Sequence, residues 1–157
     1  MGRRLAFEAS AVSAAPADAL WPLVADVTRW TEWSWMTRAT RLRQGDPPPD
    51  GVGTLRRLGV GPGGSQEEVV AFEPPRHLGY VAVRGLPVRH YRADVHLEDA
   101  PRADGTTGTR VTWRCEVEPL VPGTGTLLRA VLRRMVAGFA RRVCRYADRH
   151  LPGEPSR

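Results

Sequence analysis

The chain has 157 residues, 41% of them hydrophobic and 25% charged, a length and balance that fit one folded domain with a core and exclude a disordered polypeptide. The net charge is +6 with arginine as the only basic residue besides histidine, and no apolar run reaches the roughly 20 residues needed to cross a bilayer. MGRRLAFEAS lacks the apolar segment of a secretory signal, and Cys115 and Cys144 lie in apolar patterns at no zinc or redox spacing, so a cytoplasmic protein with reduced thiols is expected.

LAFEASAVSA alternates as a strand, with Leu5, Phe7 and Ala9 on one face. Pro16 suits the first position of a helix, and Asp18 lies in its first turn, where the helix dipole favours an anion. Leu20, Trp21, Leu23 and Val24 make that helix apolar on one side. Asp26 is placed to cap a second short helix running through Trp30 to about Trp33. WTEWSWM then adds Trp35 and Met36, so three of the five tryptophans fall between residues 30 and 35. Such a cluster is either a core plug or the wall of a cavity.

Strand-like segments follow: ATRLRQ, TLRRLGV, QEEVVAFE, HLGYVAVR, VRHYRADVHLED and TRVTWRCEVEP. They are separated by GDPPPDGVG, GPGGS, the Pro74–Pro75 stop, a Gly85/Pro87 turn and ADGTTG. Short connections make the sheet antiparallel. Tyr91, Ala93, Val95 and Leu97 share one face of their strand. Val111, Trp113, Cys115 and Val117 do so in the next. His90 and Arg92 are expected on the outer face, largely exposed.

From about Gly123 to His150 the apolar residues take a helical period. Leu128, Val131, Leu132, Met135, Phe139 and Val143 make one stripe among seven arginines that are expected to be solvated. A helix of that span is roughly 40 Å long and must bury its stripe against the sheet. The fold class is therefore α+β: about seven antiparallel strands curved around a long C-terminal helix, with two short helices after the first strand. One domain over residues 1–151 and a flexible tail over 152–157 are expected.

The stretches APADALWPLVADVTRWTEW, GVGTLRR, EEVVAFEPPRHLGY and GTRVTW occur in this order along nearly the whole chain. Together they resemble the START-like superfamily, within it the polyketide cyclase/dehydrase-like branch known as SRPBCC. The resemblance implies a helix-grip fold around a deep, largely apolar cavity. It also implies functions that range from cyclases and aromatases to carriers and receptors of lipids and hormones. Ala15 stands where many relatives place a serine or threonine before the helix-opening proline.

On that frame the cavity is expected to be lined by Trp33, Trp35 and Met36 at its mouth. Phe72, Tyr80, Tyr91, Trp113, Met135 and Phe139 would stand deeper. Trp30 is assigned to the core. The strand pleat turns one of Glu67 and Glu68 inward, and if Phe72 is inside then Glu68 is its neighbour on that face. Glu68 is thus the one candidate base, with pairing to Arg56 or Arg57 as the structural alternative. No metal site is expected: His90 and His96 stand about 20 Å apart by strand rise. No cofactor is expected, since GVGPGG lacks the lysine and following helix of a phosphate loop. The expected partner is a small hydrophobic ligand, aromatic, polyketide-like, isoprenoid or lipid. An enzyme that cyclises a polyketide by positioning it is the alternative. No nucleic-acid partner is expected, and the oligomeric state is left open.

Overall fold

In the computed structural model, which describes residues 2–151, the N-terminal strand β1 (Leu5–Ser13) ends at a buried corner. From there the chain enters α1 (Ala17–Ala25), passes a short 3-10 turn over Val27–Arg29, and forms α2 (Trp30–Trp33). Asp26 caps this entry as expected: its carboxylate accepts the Thr28 N–H at 3.0 Å. Then come β2 (Arg38–Arg43), β3 (Leu55–Gly59), β4 (Ser65–Glu73), β5 (His77–Arg84), β6 (Val88–Pro101), β7 (Thr107–Pro119) and the long helix α3 (Gly125–His150). The expected tail lies outside the described residues.

All seven strands form one antiparallel sheet in the order β1-β7-β6-β5-β4-β3-β2. The strands from β2 to β7 run as a meander, and β1 closes against the last of them, with Ala9 opposite Trp113. The fold is the curved sheet around a long helix that the sequence pattern called for. The inner face of β6 and β7 follows the alternation, with Tyr91, Ala93, Val95 and Leu97 buried beside Val111, Trp113, Cys115 and Val117.

Two expectations need correction. The buried stripe of α3 is Leu132, Val136, Phe139, Ala140, Val143, Cys144 and Ala147, while Val131 is exposed. Leu128 and Met135 are only partly buried against the core, so the fully buried part of the stripe begins at Leu132. His90 and Arg92 do lie on the outer face but are only half-exposed, because the side chains there cover one another. Arg92 pairs with Asp94 at 3.0 Å, His90 Nε2 lies 3.4 Å from Glu116, and His77 stacks on His96 with ring centres 4.4 Å apart. The seven arginines of α3, in contrast, are all exposed.

α3 packs chiefly on β1 and β7. Its C-terminal end is clamped by Asp148, whose Oδ1 accepts the buried Ser13 hydroxyl at 2.6 Å and the Ala14 N–H at 2.8 Å. Hydrogen bonds to a charged acceptor contribute about 1.5–3 kcal/mol. Asp148→Ala is accordingly expected to lower the unfolding free energy by about 2 kcal/mol in urea denaturation, with Asp148→Asn between the two. A loss below about 0.5 kcal/mol would show that the clamp is replaced by water.

Candidate functional site

Because α3 lies chiefly over β1 and β7, it leaves part of the inner face of β3, β4 and β5 uncovered. A cavity of about 310 Å³ opens there, between those strands and one side of α3. Leu58, Glu67, Tyr80 and Tyr91 form its sheet side, and Met135 and Phe139 its helix side. Trp30, Trp35 and Met36 close it from α2 and the segment that follows, while Val60, Gly64, Gly85 and Leu86 come from the two turns at its rim. The lining is mostly carbon, as ligand cavities usually are.

Of the side chains expected around a cavity, Trp35, Met36, Tyr80, Tyr91, Met135 and Phe139 are brought together on its walls. Trp33, Trp113 and Phe72 are placed elsewhere. Trp33 is buried, and its indole N–H donates to the Leu23 carbonyl at 2.9 Å, which fixes α2 to α1. Trp113 is wholly buried behind Tyr80 and donates to the Tyr80 hydroxyl oxygen at 3.0 Å. Phe72 meets Trp21 edge-on at 5.4 Å, at the α1 end of the sheet. Trp30, assigned to the core, is both core and wall: it is buried, donates to the Val24 carbonyl at 3.0 Å and faces the cavity.

Trp35 is the half-exposed member of the cluster. Its ring stacks on Phe139 with centres 4.4 Å apart and planes 4° from parallel, and Arg142 lies over it at 5.4 Å. Gly138 permits this seat, since a methyl group there would stand 2.9 Å from the indole edge.

The inward carboxylate is Glu67; the expectation for Glu68 is corrected. β4 carries a bulge at Val70: Val69 pairs with Tyr80 and Ala71 with Gly79, so one residue is extra. Val69 and Phe72 therefore face inward together, and the inner set reads Glu67, Val69, Phe72 rather than Glu68, Val70, Phe72. Glu68 is half-exposed and pairs with Arg43 at 3.5 Å.

Beneath Glu67 lies Arg56, which is fully buried. Its Nη2 donates to Glu67 Oε2 at 3.0 Å. The guanidinium carbon sits 4.2 Å from the centre of the Tyr80 ring and 4.9 Å from that of Trp30. Nε and Nη1 are buried without an acceptor. The sequence carried a signal for this inward arginine. Arg56 shares strand parity with Leu58, and of two adjacent arginines on a half-buried strand one has to point in.

Burial pushes the Glu67 carboxyl above the ordinary carboxylate range, opposed by the Arg56 charge. Burial likewise raises the Tyr80 and Tyr91 phenols, so both stay protonated at neutral pH. Cys115, 3.7 Å from the Tyr91 hydroxyl, is pushed up to about 12 by burial and is no thiolate nucleophile. Among the described residues no cluster of His, Cys, Asp or Glu is arranged to hold a metal ion, and no helix is long and apolar enough to cross a membrane.

Solved structures of the same shape are numerous. Norcoclaurine synthase from Thalictrum flavum, as a point mutant with a transition-state analogue, superposes with a TM-score of 0.71 at 14% identity, over 97% of this chain and 99% of that one. The di-domain aromatase/cyclase BexL of the BE-7585A biosynthetic pathway gives 0.71 at 15%, over 98% of this chain; this chain spans about half of BexL, 51% of its length. The allergen Ara h 8.0201 gives 0.68 at 16%, over 92% and 97%. At these identities the likeness is one of fold. Among curated protein sequences no significant match is found. Over residues 4–148 the sequence fits the family model described as polyketide cyclase / dehydrase and lipid transport, and to that family the chain belongs.

Proposed function

We propose that the protein binds a small, flat, largely apolar ligand in the cavity between α3 and β3–β5. The observation that carries this reading is the cavity itself: about 310 Å³, walled by Trp30, Trp35, Tyr80, Tyr91 and Phe139, with Glu67, the acidic half of a buried ion pair, in its lining. Ligand cavities run from about 300 to 1,000 Å³, so this one suits a molecule of one or two rings better than a four-ring polyketide. Membership of a family that includes lipid transport supports the same class of ligand.

A second reading has its own observation. Glu67 is a carboxylate of raised proton affinity on the wall of an apolar cavity, and such a group serves as a general base or acid. An enzyme that closes or dehydrates a ring by holding its substrate beside Glu67 fits that geometry. The fold shared with norcoclaurine synthase and with an aromatase/cyclase keeps this reading in play.

Native protein analysed by mass spectrometry for co-purifying small molecules tests the binding reading directly. Tryptophan fluorescence titrated with a panel of flat apolar compounds gives the second measure. Trp35→Ala is expected to weaken binding by about 1–3 kcal/mol, because a stacking wall is lost, and to change stability less than that. Trp33→Ala is expected to behave as a core deletion and cost about 3–5 kcal/mol of stability. If Trp35→Ala binds every compound as the parent does, or no compound binds at all, the cavity is not a ligand site.

A further inference from the structure

Glu67 is 7% exposed, and it lines the cavity. A carboxylate has room for about four hydrogen bonds. Among the described residues Glu67 receives one, from Arg56 Nη2 to Oε2 at 3.0 Å. Its other oxygen, Oε1, meets no donor. The fully buried side-chain atoms without a partner, among the described residues, are Arg56 Nε, Arg56 Nη1 and His90 Nε2. Oε1 is not one of them, so it keeps open surface, and the space that Glu67 borders is the cavity.

Three other polar groups of the wall are already engaged. The Trp30 N–H donates to the Val24 carbonyl, the Tyr80 hydroxyl accepts from Trp113, and the Tyr91 hydroxyl lies against the Cys115 sulfur. A ligand that fills the cavity strips Oε1 of water. It must then supply a donor itself or leave a charged acceptor bare, which costs more than an ordinary hydrogen bond contributes. Charge narrows the choice of donor. Arg56 already balances Glu67. A ligand cation would add an uncompensated positive charge to an apolar cavity, and a ligand anion would face the carboxylate. An uncharged hydroxyl has neither cost.

We propose that Glu67 selects ligands with a hydroxyl on one edge of their ring system, whose O–H donates to Oε1. This rests on the reading of the cavity as a ligand site and adds the chemistry of one end of the ligand. The rings pack on the aromatic wall, and the hydroxyl fixes which edge enters towards β4.

The test uses four probes on one ring frame: 2-naphthol, 2-methylnaphthalene, 2-methoxynaphthalene and (2-naphthylmethyl)ammonium. Binding is read by tryptophan fluorescence and calorimetry at neutral pH, where naphthol is uncharged. The parent is expected to bind naphthol about tenfold or more tighter than its methyl ether, which keeps the oxygen and lacks the donor. The double variant Arg56→Leu with Glu67→Leu removes both charges together, a replacement that buried ion pairs usually tolerate. There the ratio of naphthol to methylnaphthalene affinity is expected to fall about tenfold or more from its value in the parent, a comparison in which the hydration of the free probes cancels. Glu67→Gln keeps an uncharged acceptor and should give a ratio between the two. Equal binding of naphthol and its ether by the parent overturns the proposal, and so does an unchanged ratio in the double variant. Ammonium binding tighter than naphthol overturns the uncharged donor. Failure of all four probes overturns the cavity reading itself, whereas binding without discrimination for the hydroxyl sinks only the role of Glu67.

Discussion

Trp30→Ala is expected to lower the unfolding free energy by about 3–5 kcal/mol, the range for deleting a large buried aromatic. Trp30 sits where four packing partners meet. Its ring lies 5.0 Å from Trp33, 6.1 Å from Trp113 and 5.4 Å from Phe139, and Arg56 rests on it at 4.9 Å. The indole N–H also satisfies the Val24 carbonyl at the end of α1. Truncation removes the ring, strands a carbonyl and takes one face from a buried cation, so the loss belongs at the top of the range. A domain of this size has about 5–15 kcal/mol of stability in all, so the variant stands near the edge of folding. Urea denaturation of Trp30→Ala beside the conservative Trp30→Phe reads the effect; Trp30→Phe should recover about half. A loss under about 1.5 kcal/mol for the alanine variant would show that the cavity collapses to fill the gap.

The second large effect concerns the buried pair. Arg56→Met leaves the Glu67 carboxylate buried without its cation, and breaking such a pair from one side costs about 3–5 kcal/mol. The pH dependence identifies the cause. In the unfolded chain Glu67 titrates near its ordinary value of 4.5, and burial raises it in the folded protein. The folded state therefore holds the proton to higher pH than the unfolded state does. Stability from this group is fully present below about pH 4.5 and falls as pH rises from there through the folded value. Removing Arg56 takes away the charge that opposed the rise. The fall in Arg56→Met should thus be larger than in the parent and extend to higher pH. Glu67→Gln should lack this slope. Denaturation midpoints measured from pH 4 to pH 9 (roughly the window in which a buried carboxyl titrates) distinguish these curves. A flat difference between Arg56→Met and the parent across that range would assign the cost to lost packing alone.

Much of this was legible in the sequence because it depended on local period. The alternation in β6 and β7 placed Tyr91 and Trp113 inside, the proline-free run gave α3, and Asp26 marked its helix turn. What escaped depended on breaks in period or on distant partners. The bulge at Val70 offset the pleat, which exchanged Glu68 for Glu67. Nothing in QEEVVAFEPP marks a bulge, since no glycine stands there. The tryptophans were separable only through their hydrogen bonds: Trp30 and Trp33 reach the carbonyls of α1, and Trp35, past the end of α2, reaches none. The start of the buried stripe on α3 was a matter of where the sheet lies beneath the helix, and the helical period alone does not set that.

The pairing of β1 with β7 has a consequence for how the protein is made. Strand β1 leaves the ribosome first, yet its one neighbour in the sheet is the last strand, roughly a hundred residues later, and the helix that covers both follows even that. During synthesis β2 to β6 can pair in sequence, each with the strand just made. The tryptophans of α2 have no Trp113 or Phe139 to pack on until the final third of the chain emerges. The nascent domain therefore carries a free strand edge and a bare aromatic cluster until β7 and α3 have emerged, an interval in which unpaired edges and exposed apolar surface favour mispairing.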